Sequence, residues 1–450
     1  MKHKSIHHTF QDPASRREFL VASSATLAGA ALAAQGGGAT GGETPPKLAL
    51  HGGAKTIQQS AKLGPRWGEP ERQYLEAVLG QDTLFYWKGP QTTGFIESFR
   101  QLTPLKYVMT CSSGTAALHI AVAAAGIGPG DEVITSPITD IGTVIGVIFQ
   151  QGVPVFADLG AGTYNLEPAE VERRITPRTK AIIAVHLCGN PCDLTALKAL
   201  AEKHGLILIE DAAQAWGAKH RGKPVGTFGH IACWSLQNSK HITCGDGGVV
   251  ASNDERFGPF LQRFGDKGYD RVTGGLCELF ATNYRMTEEQ AAIARAQLGR
   301  LEGIVAKRAR LGSLLTEHLQ GVPGVLPHQV HPEDRCGYWF YFMRLRLDAF
   351  SCDRSTFVKA LAAEGVEASA GYISVPLHRN PVFQKHAFFA GRWPIKELGL
   401  TAMDYTKWET PEAESILKTG VKITVQEGMS EEHVLGVAKG IRKVARYFAN

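Results

Sequence analysis

Residues 206–252 read LILIEDAAQAWGAKHRGKPVGTFGHIACWSLQNSKHITCGDGGVVAS. An apolar run over 206–209 closes on two carboxylates, Glu210 and Asp211, and the small-residue segment 212–218 carries the amide of Gln214. A polar Gly/Pro loop leads to a second apolar run, 231–236, with Ser235 and Lys240 five positions apart. The glycine turn Gly245-Asp246-Gly247-Gly248 then feeds a third run, 249–251. Short apolar runs bounded by Gly and Pro predict buried strands. Open α/β sheets carry their chemistry at the carboxyl ends of such strands. An acid, an amide, a hydroxyl and a lysine are therefore expected at one edge of one sheet.

That set suits pyridoxal phosphate. A lysine amine forms a Schiff base with the cofactor aldehyde, and an Asp partners the pyridinium nitrogen. The carboxylate keeps the ring nitrogen protonated by proximity, so that the ring draws electrons from the substrate carbon. Taken singly, Lys240 reads as a loop lysine and Asp211 as a helix cap; the ordered set carries the reading. The pattern E-D-A-A-Q-A…S-x-x-x-x-K…G-D-G-G resembles the DegT/StrS family of pyridoxal-phosphate sugar aminotransferases. The resemblance implies Lys240 as the catalytic lysine, Asp211 at the ring nitrogen, Gln214 at the phenolic oxygen or over the ring, and Ser235 in the cofactor pocket. It also implies an α/β fold like that of aspartate aminotransferase. That fold has a large domain with a mostly parallel seven-stranded sheet flanked by helices, and a smaller α+β C-terminal domain.

Upstream, a strand over 107–110 runs into Cys111-Ser112-Ser113-Gly114-Thr115-Ala116, which opens a helix to about residue 125. Free amides and the dipole at a helix start favour a dianion, and hydroxyls add donors, so the turn reads as a phosphate seat as well as a simple N-cap. The family resemblance assigns Gly114, Thr115 and Ala116 to the cofactor phosphate. A strand over 131–136 ends in Pro137-Ile138-Thr139-Asp140. Here the chain departs from the pattern, because most members carry an aromatic residue at the position of Asp140 that stacks on the pyridine ring. Phe85, Tyr86 and Trp87, ahead of the sheet, read equally as packing residues or substrate contacts.

Strand and helix signals alternate from 153 to 209, which predicts a mostly parallel sheet with flanking helices. No G-x-G-x-x-G follows the first strand, so a dinucleotide site has no support. Thr282-Asn283-Tyr284-Arg285-Met286-Thr287 precedes a capping-box spacing, Thr287 to Gln290, which predicts a helix from about 288 to 301. N-Y-R-M-T-x-x-Q-A-A is a second family signature. In relatives its asparagine reaches the phosphate of the neighbouring subunit's cofactor, which maps to Asn283 and implies a homodimer. From about 304 a smaller α+β unit is expected, with a strand over 338–347, a helix over 354–364 and an amphipathic helix over 430–448. Within it, 377–383 resembles the family's substrate loop.

The chain has 450 residues, 44% hydrophobic and 20% charged, with a formal net charge of +5 spread along its length. That is room for two domains. No dense Lys/Arg block points to nucleic acid. The eight cysteines are scattered, with no paired ligand spacing for zinc, so no metal site is expected. Ser15-Arg16-Arg17-Glu18-Phe19-Leu20 is a twin-arginine pattern, followed by a mildly apolar run over 20–34 and the small-x-small site Ala31-Leu32-Ala33. The expected layout is a signal over 1–34, a linker and N-terminal arm over 35–66, a large cofactor-binding domain over 67–303 and a small domain over 304–450. Export by the twin-arginine route follows, without stable membrane insertion once the signal is removed; the alternative is a cytoplasmic protein. The expected activity is transfer of an amino group from an amino-acid donor to a keto-sugar or cyclitol-like ketone. The alternatives are a dehydratase of the same family, with His241 beside Lys240, and a cofactor-binding sensor or scaffold without turnover.

Overall fold

A computed structural model describes residues 47–450. The twin-arginine segment and the first part of the linker lie outside the described residues. Seven strands build the main sheet: β1 (Tyr107–Cys111), β2 (Glu132–Thr135), β3 (Val153–Phe156), β4 (Thr179–Val185), β5 (Ile207–Asp211), β8 (Ile231–Ser235) and β9 (Gly248–Ser252). A two-residue hairpin, β6 (Lys219–His220) with β7 (Lys223–Pro224), stands apart from it. The sheet order is β1-β9-β8-β5-β4-β2-β3, and all neighbours from β8 to β3 pair in parallel. Only β9 runs the other way, antiparallel to both β1 and β8.

The strands are short and apolar because they are buried on both faces, as crossover helices require. Every residue of β2, β3, β8 and β9 is buried. Helices Gly114–Ala124 and Leu194–His204 start on side-chain caps, Ser113 and Asp193, which accept the amides of Ala116 and Ala196. The predicted capping box is present, with the Thr287 amide donating to Gln290 at 3.2 Å. Its helix ends earlier than expected, at Leu298, and a new one runs Leu301–Leu319 after Gly299. That second helix joins two cores: Leu301 and Val305 pack under the main sheet, while Leu311, Leu315 and Leu319 pack under a second sheet.

The second sheet is four-stranded and antiparallel, in the order β10 (Val325–Leu326), β11 (Tyr341–Leu345), β13 (Gly420–Ile423), β12 (Ala368–Ala370). Helices Arg354–Ala363 and Glu431–Phe448 cover one of its faces. Its strand β11 is shorter than the expected 338–347 run. Among the described residues, no helix is long and apolar enough to cross a membrane.

Candidate active site

Strand register brings the chemistry together. Asp211 ends β5 and Ser235 ends β8, its parallel neighbour, with Asp211 paired to Cys233. Gly248, the first residue of the antiparallel β9, sits opposite both Ser235 and Cys111. A Cβ on Gly248 would lie 2.3 Å from the Ser113 carbonyl oxygen, so glycine is what lets the seat-forming turn close onto this edge. One cavity of about 300 Å³ opens there, lined by Ser113, Gly114, Thr115, Asp211, Gln214, Ser235 and Lys240 among others.

The helix start behaves as the residue types require. Ser113 Oγ accepts the Ala116 amide at 3.0 Å. The amides of Gly114 and Thr115, on residues that line the cavity, are first-turn groups without an intrahelical acceptor. A Cβ on Gly114 would come within 2.7 Å of the Ser235 Cβ, so hydroxyl and helix start approach each other only through this glycine. Ala116 is buried behind them and does not line the cavity.

Asp211 is 4% exposed and is held at both oxygens. Thr143 Oγ1 donates to Oδ2 at 2.8 Å, and the Ala213 amide donates to Oδ1 at 3.1 Å. Burial raises its pKa above the ordinary carboxylate value, against the pull of these two donors, of Lys240 and of His186. Gln214 accepts the Cys188 amide at 2.9 Å and donates to Tyr372 Oη at 3.3 Å, which fixes its amide orientation. Lys240 is 8% exposed, and its Nζ lies 3.8 Å from the centroid of the Trp339 ring. Burial lowers its pKa from 10.5 to about 8, while Asp211 and Asp140 act to raise it and Lys422 to lower it. The turn that carries it is closed by the Lys240 amide on the Gln237 carbonyl at 2.9 Å. Gln237 Oε1 in turn accepts the Ser239 amide and hydroxyl, both at 2.7 Å.

The residues fit the phosphate, pyridine nitrogen and aldehyde of pyridoxal phosphate. A glycine-built helix start, a doubly held buried carboxylate and a deprotonable lysine share one cavity. Asp140 lines it too, and its Oδ1 accepts the Gly142 amide at 2.8 Å. That makes it the turn residue before helix Gly142–Phe149 instead of a stacking ring. Asn283 is exposed and does not line this cavity. Tyr86, Trp87, Phe85 and the 377–383 loop also lie outside the lining. Tyr86 donates to Asp266 at 2.6 Å, and His378 is buried against Phe156 with a ring separation of 5.7 Å. His241 faces away from the cavity, fully buried, with Nε2 2.9 Å from the Gly337 carbonyl. Among the described residues no group of three or more His, Cys, Asp or Glu could hold a metal ion, and six of the eight cysteines are buried free thiols.

Sequence reading missed four contributors. Thr143 holds Asp211 and also meets Thr139 Oγ1 at 2.7 Å; the four-residue spacing is the one signal that could have found it. Trp339 and Tyr372 come from beside the second sheet, with no local pattern to mark them. Arg66, at the end of the expected linker and arm, donates to the carbonyls of Asn238 and Lys240, and to that of His241 at 3.3 Å.

A family model described as the DegT/DnrJ/EryC1/StrS aminotransferase family matches residues 65–442. GDP-perosamine synthase from Caulobacter vibrioides is 36% identical over 321 residues, covering 71% of this chain and 85% of that protein. A putative L-glutamine:3-amino-2,3-dideoxy-scyllo-inosose aminotransferase from Micromonospora echinospora is 34% identical over 383 residues, covering 82% and 90%. Among solved structures, an aminotransferase from Psychrobacter cryohalolentis superposes with a TM-score of 0.78 at 28% identity, covering 87% of this chain and 100% of that one. With the lysine, carboxylate and glycine-built helix start in one cavity, the chain belongs to the DegT/DnrJ/EryC1/StrS family and is a pyridoxal-phosphate-dependent aminotransferase of the aspartate aminotransferase-like fold.

Proposed function

We propose that this aminotransferase moves an amino group from an amino-acid donor to a keto-sugar or cyclitol-like ketone, with Lys240 as the catalytic residue. The observation that carries the reading is a buried lysine with its pKa near 8, in one cavity with Asp211 and the Gly114-Thr115 helix start. Pyridoxal phosphate, when bound, supplies the electron sink that permits proton removal at carbon. The first-turn amides of Gly114 and Thr115, with Ser235, bind the phosphate dianion. Asp211 holds a proton on the ring nitrogen, and Thr143 and Ala213 fix the carboxylate that does so. Lys240 Nζ would hold the cofactor through its aldehyde and, once released, would be the base that takes the proton from the substrate carbon. The acceptor class is supported by relatives named for perosamine and aminoinosose chemistry.

The purified protein should be yellow, and glutamate should bleach that colour as the amino group is taken up. Borohydride reduction and peptide mapping should leave the cofactor on Lys240; label on another lysine would end the assignment. Colour that no amino acid bleaches would favour the sensor or scaffold reading. The dehydratase reading loses its candidate, because His241 is packed away from the cavity.

We propose further that two copies share their sites, with Asn283 reaching the partner's cofactor phosphate. Exposure of Asn283, away from its own cavity, supports this. Mixing Lys240→Ala with Asn283→Ala subunits should restore part of the activity, and a monomer at micromolar concentration in sedimentation would refute it. Export by the twin-arginine route rests on Arg16, Arg17 and the apolar run behind them. Arg16→Lys with Arg17→Lys should trap a full-length precursor in the cytoplasm, whereas wild type should be shortened near Ala33. Full-length wild type in the cytoplasm would overturn it.

A further inference from the structure

Strand β13 carries a cation that the reading above does not use. Its residues Val421 and Ile423 are buried in the core of the second sheet with Phe357, Leu361 and Ile441. Alternation along the strand therefore turns Lys422, between them, to the opposite face. Lys422 stands opposite Phe342 on β11 and Ser369 on β12. Its Nζ lies 4.9 Å from the centroid of Phe340 and 5.9 Å from that of Trp339. Trp339 is also the ring against which Lys240 rests, at 3.8 Å. The two amines can be no farther apart than those two distances laid end to end.

Lys422 is half-buried and, among the described residues, its amine makes no hydrogen bond and no ion pair. The cavity lining holds Asp140, whose charge acts on Lys240 in the opposite sense to that of Lys422. The reacting amine thus feels an acid in the cavity lining and, across the Trp339 ring they share, an uncommitted ammonium. An amino acid has the matching polarity. Its nitrogen must take the place that Lys240 Nζ gives up, and its α-carboxylate lies only two bonds away. A phosphate at the far end of a sugar nucleotide has no need of a cation so near the reacting nitrogen.

We propose that Lys422 is the anchor for the α-carboxylate of the amino donor. The proposal rests on Lys240 being the reacting amine. A charge-assisted contact made in a partly dry site, with a cation already held against aromatic faces, sets both the position and the sign of the donor. Asp140, in the cavity lining, disfavours the reversed orientation by like-charge repulsion.

The test compares glutamate with its α-carboxamide, isoglutamine, and its γ-carboxamide, glutamine, in the bleaching reaction of the cofactor-loaded full chain. Wild type should bind glutamate about 10- to 100-fold better than isoglutamine, the range expected for a charge-assisted hydrogen bond. Lys422→Met should lose that preference by weakening glutamate alone, with colour and thermal midpoint close to wild type. Lys422→Arg should recover part of it. Three results would overturn the anchor: unchanged glutamate affinity in Lys422→Met, equal losses for glutamate and isoglutamine, or a loss that follows the γ-carboxylate instead. A wild type that is bleached by glutamate and isoglutamine alike removes the anchor but leaves transamination standing. A wild type that neither reacts with nor binds glutamate in calorimetry removes both.

Discussion

Replacing Lys240 by methionine should make the cofactor-free protein more stable at neutral pH. Burial brings the lysine from 10.5 to about 8. One pKa unit is worth about 1.4 kcal/mol, so keeping the proton on the buried amine costs the folded state about 3 kcal/mol. The face of Trp339 at 3.8 Å offsets about 1 kcal/mol of that. Below pH 8 the folded and unfolded chains both carry the charged lysine, and the whole cost is present. Between pH 8 and 10.5 the unfolded chain binds more protons than the folded one, so wild-type stability rises with pH. Above that window both are neutral and the cost is gone. Methionine fills the same channel without a charge. Urea unfolding of the cofactor-free proteins should put the variant ahead by about 2 kcal/mol at neutral pH and level with wild type above the window. Equal stability at neutral pH, or a gap that widens as pH rises, would refute the reasoning, because the amine would then be solvated or already paired. The same depression would serve the proposed chemistry: at neutral pH about one lysine in ten is the free amine.

Three further outcomes test the shell around that lysine. Arg66→Ala should release the turn 238–241 and lower cofactor retention after gel filtration, and Arg66→Lys should not restore it, since one ammonium cannot span three carbonyls. Gly114→Ala drives a Cβ into the Ser235 side chain; it should cost about 1–3 kcal/mol of stability and bleach the protein, and Ser235→Gly in the same chain should recover the stability but not the colour. Thr143→Val removes a donor from Asp211 Oδ2, so bleaching by glutamate should slow at least about tenfold while the colour remains; an unchanged rate would mean that Asp211 is held well enough by Ala213 alone.

The parts of the fold legible in the sequence are those whose signal is local. Short buried strands with Gly/Pro borders stand out over 206–252, and their register places Asp211 and Ser235 at one edge. The Ser113 cap and the Thr287/Gln290 box read directly as helix starts. Helix Gly142–Phe149 does not, because it is apolar on nearly every side and contains Gly142 and Gly146, so no amphipathic period marks it. With that helix went Thr143. Trp339, Tyr372 and Lys422 lie roughly a hundred or more residues beyond Lys240 in the chain, and approach it only through tertiary packing. No window of sequence contains both ends of such a contact. Arg66 was obscured for the opposite reason: it follows a Gly-rich stretch and reads as the end of a linker, although its guanidinium is fastened to the turn that carries the lysine.

Asp140 shows how a departure from the family pattern can be absorbed. Where most relatives are expected to present a ring, this chain presents a carboxylate whose Oδ1 takes the Gly142 amide at 2.8 Å. A Cβ at Gly142 would sit 2.6 Å from Thr115 Oγ1, so the turn that Asp140 closes is packed directly on the helix start proposed to hold the phosphate. Replacing the acid by a ring would therefore remove a cap as well as add a surface. Aromatic surface is instead supplied from the second sheet's side, where Trp339 meets Tyr372 at 5.8 Å and Tyr372 meets Phe340 at 5.2 Å. The cavity thus has a polar wall on the main sheet and an aromatic wall, Trp339 and Tyr372, from beside the second, with Lys422 packed against Trp339 and Phe340. The acceptor proposed above would suit that division, since the acid could accept its hydroxyl or amino donors while the rings cover its C–H face.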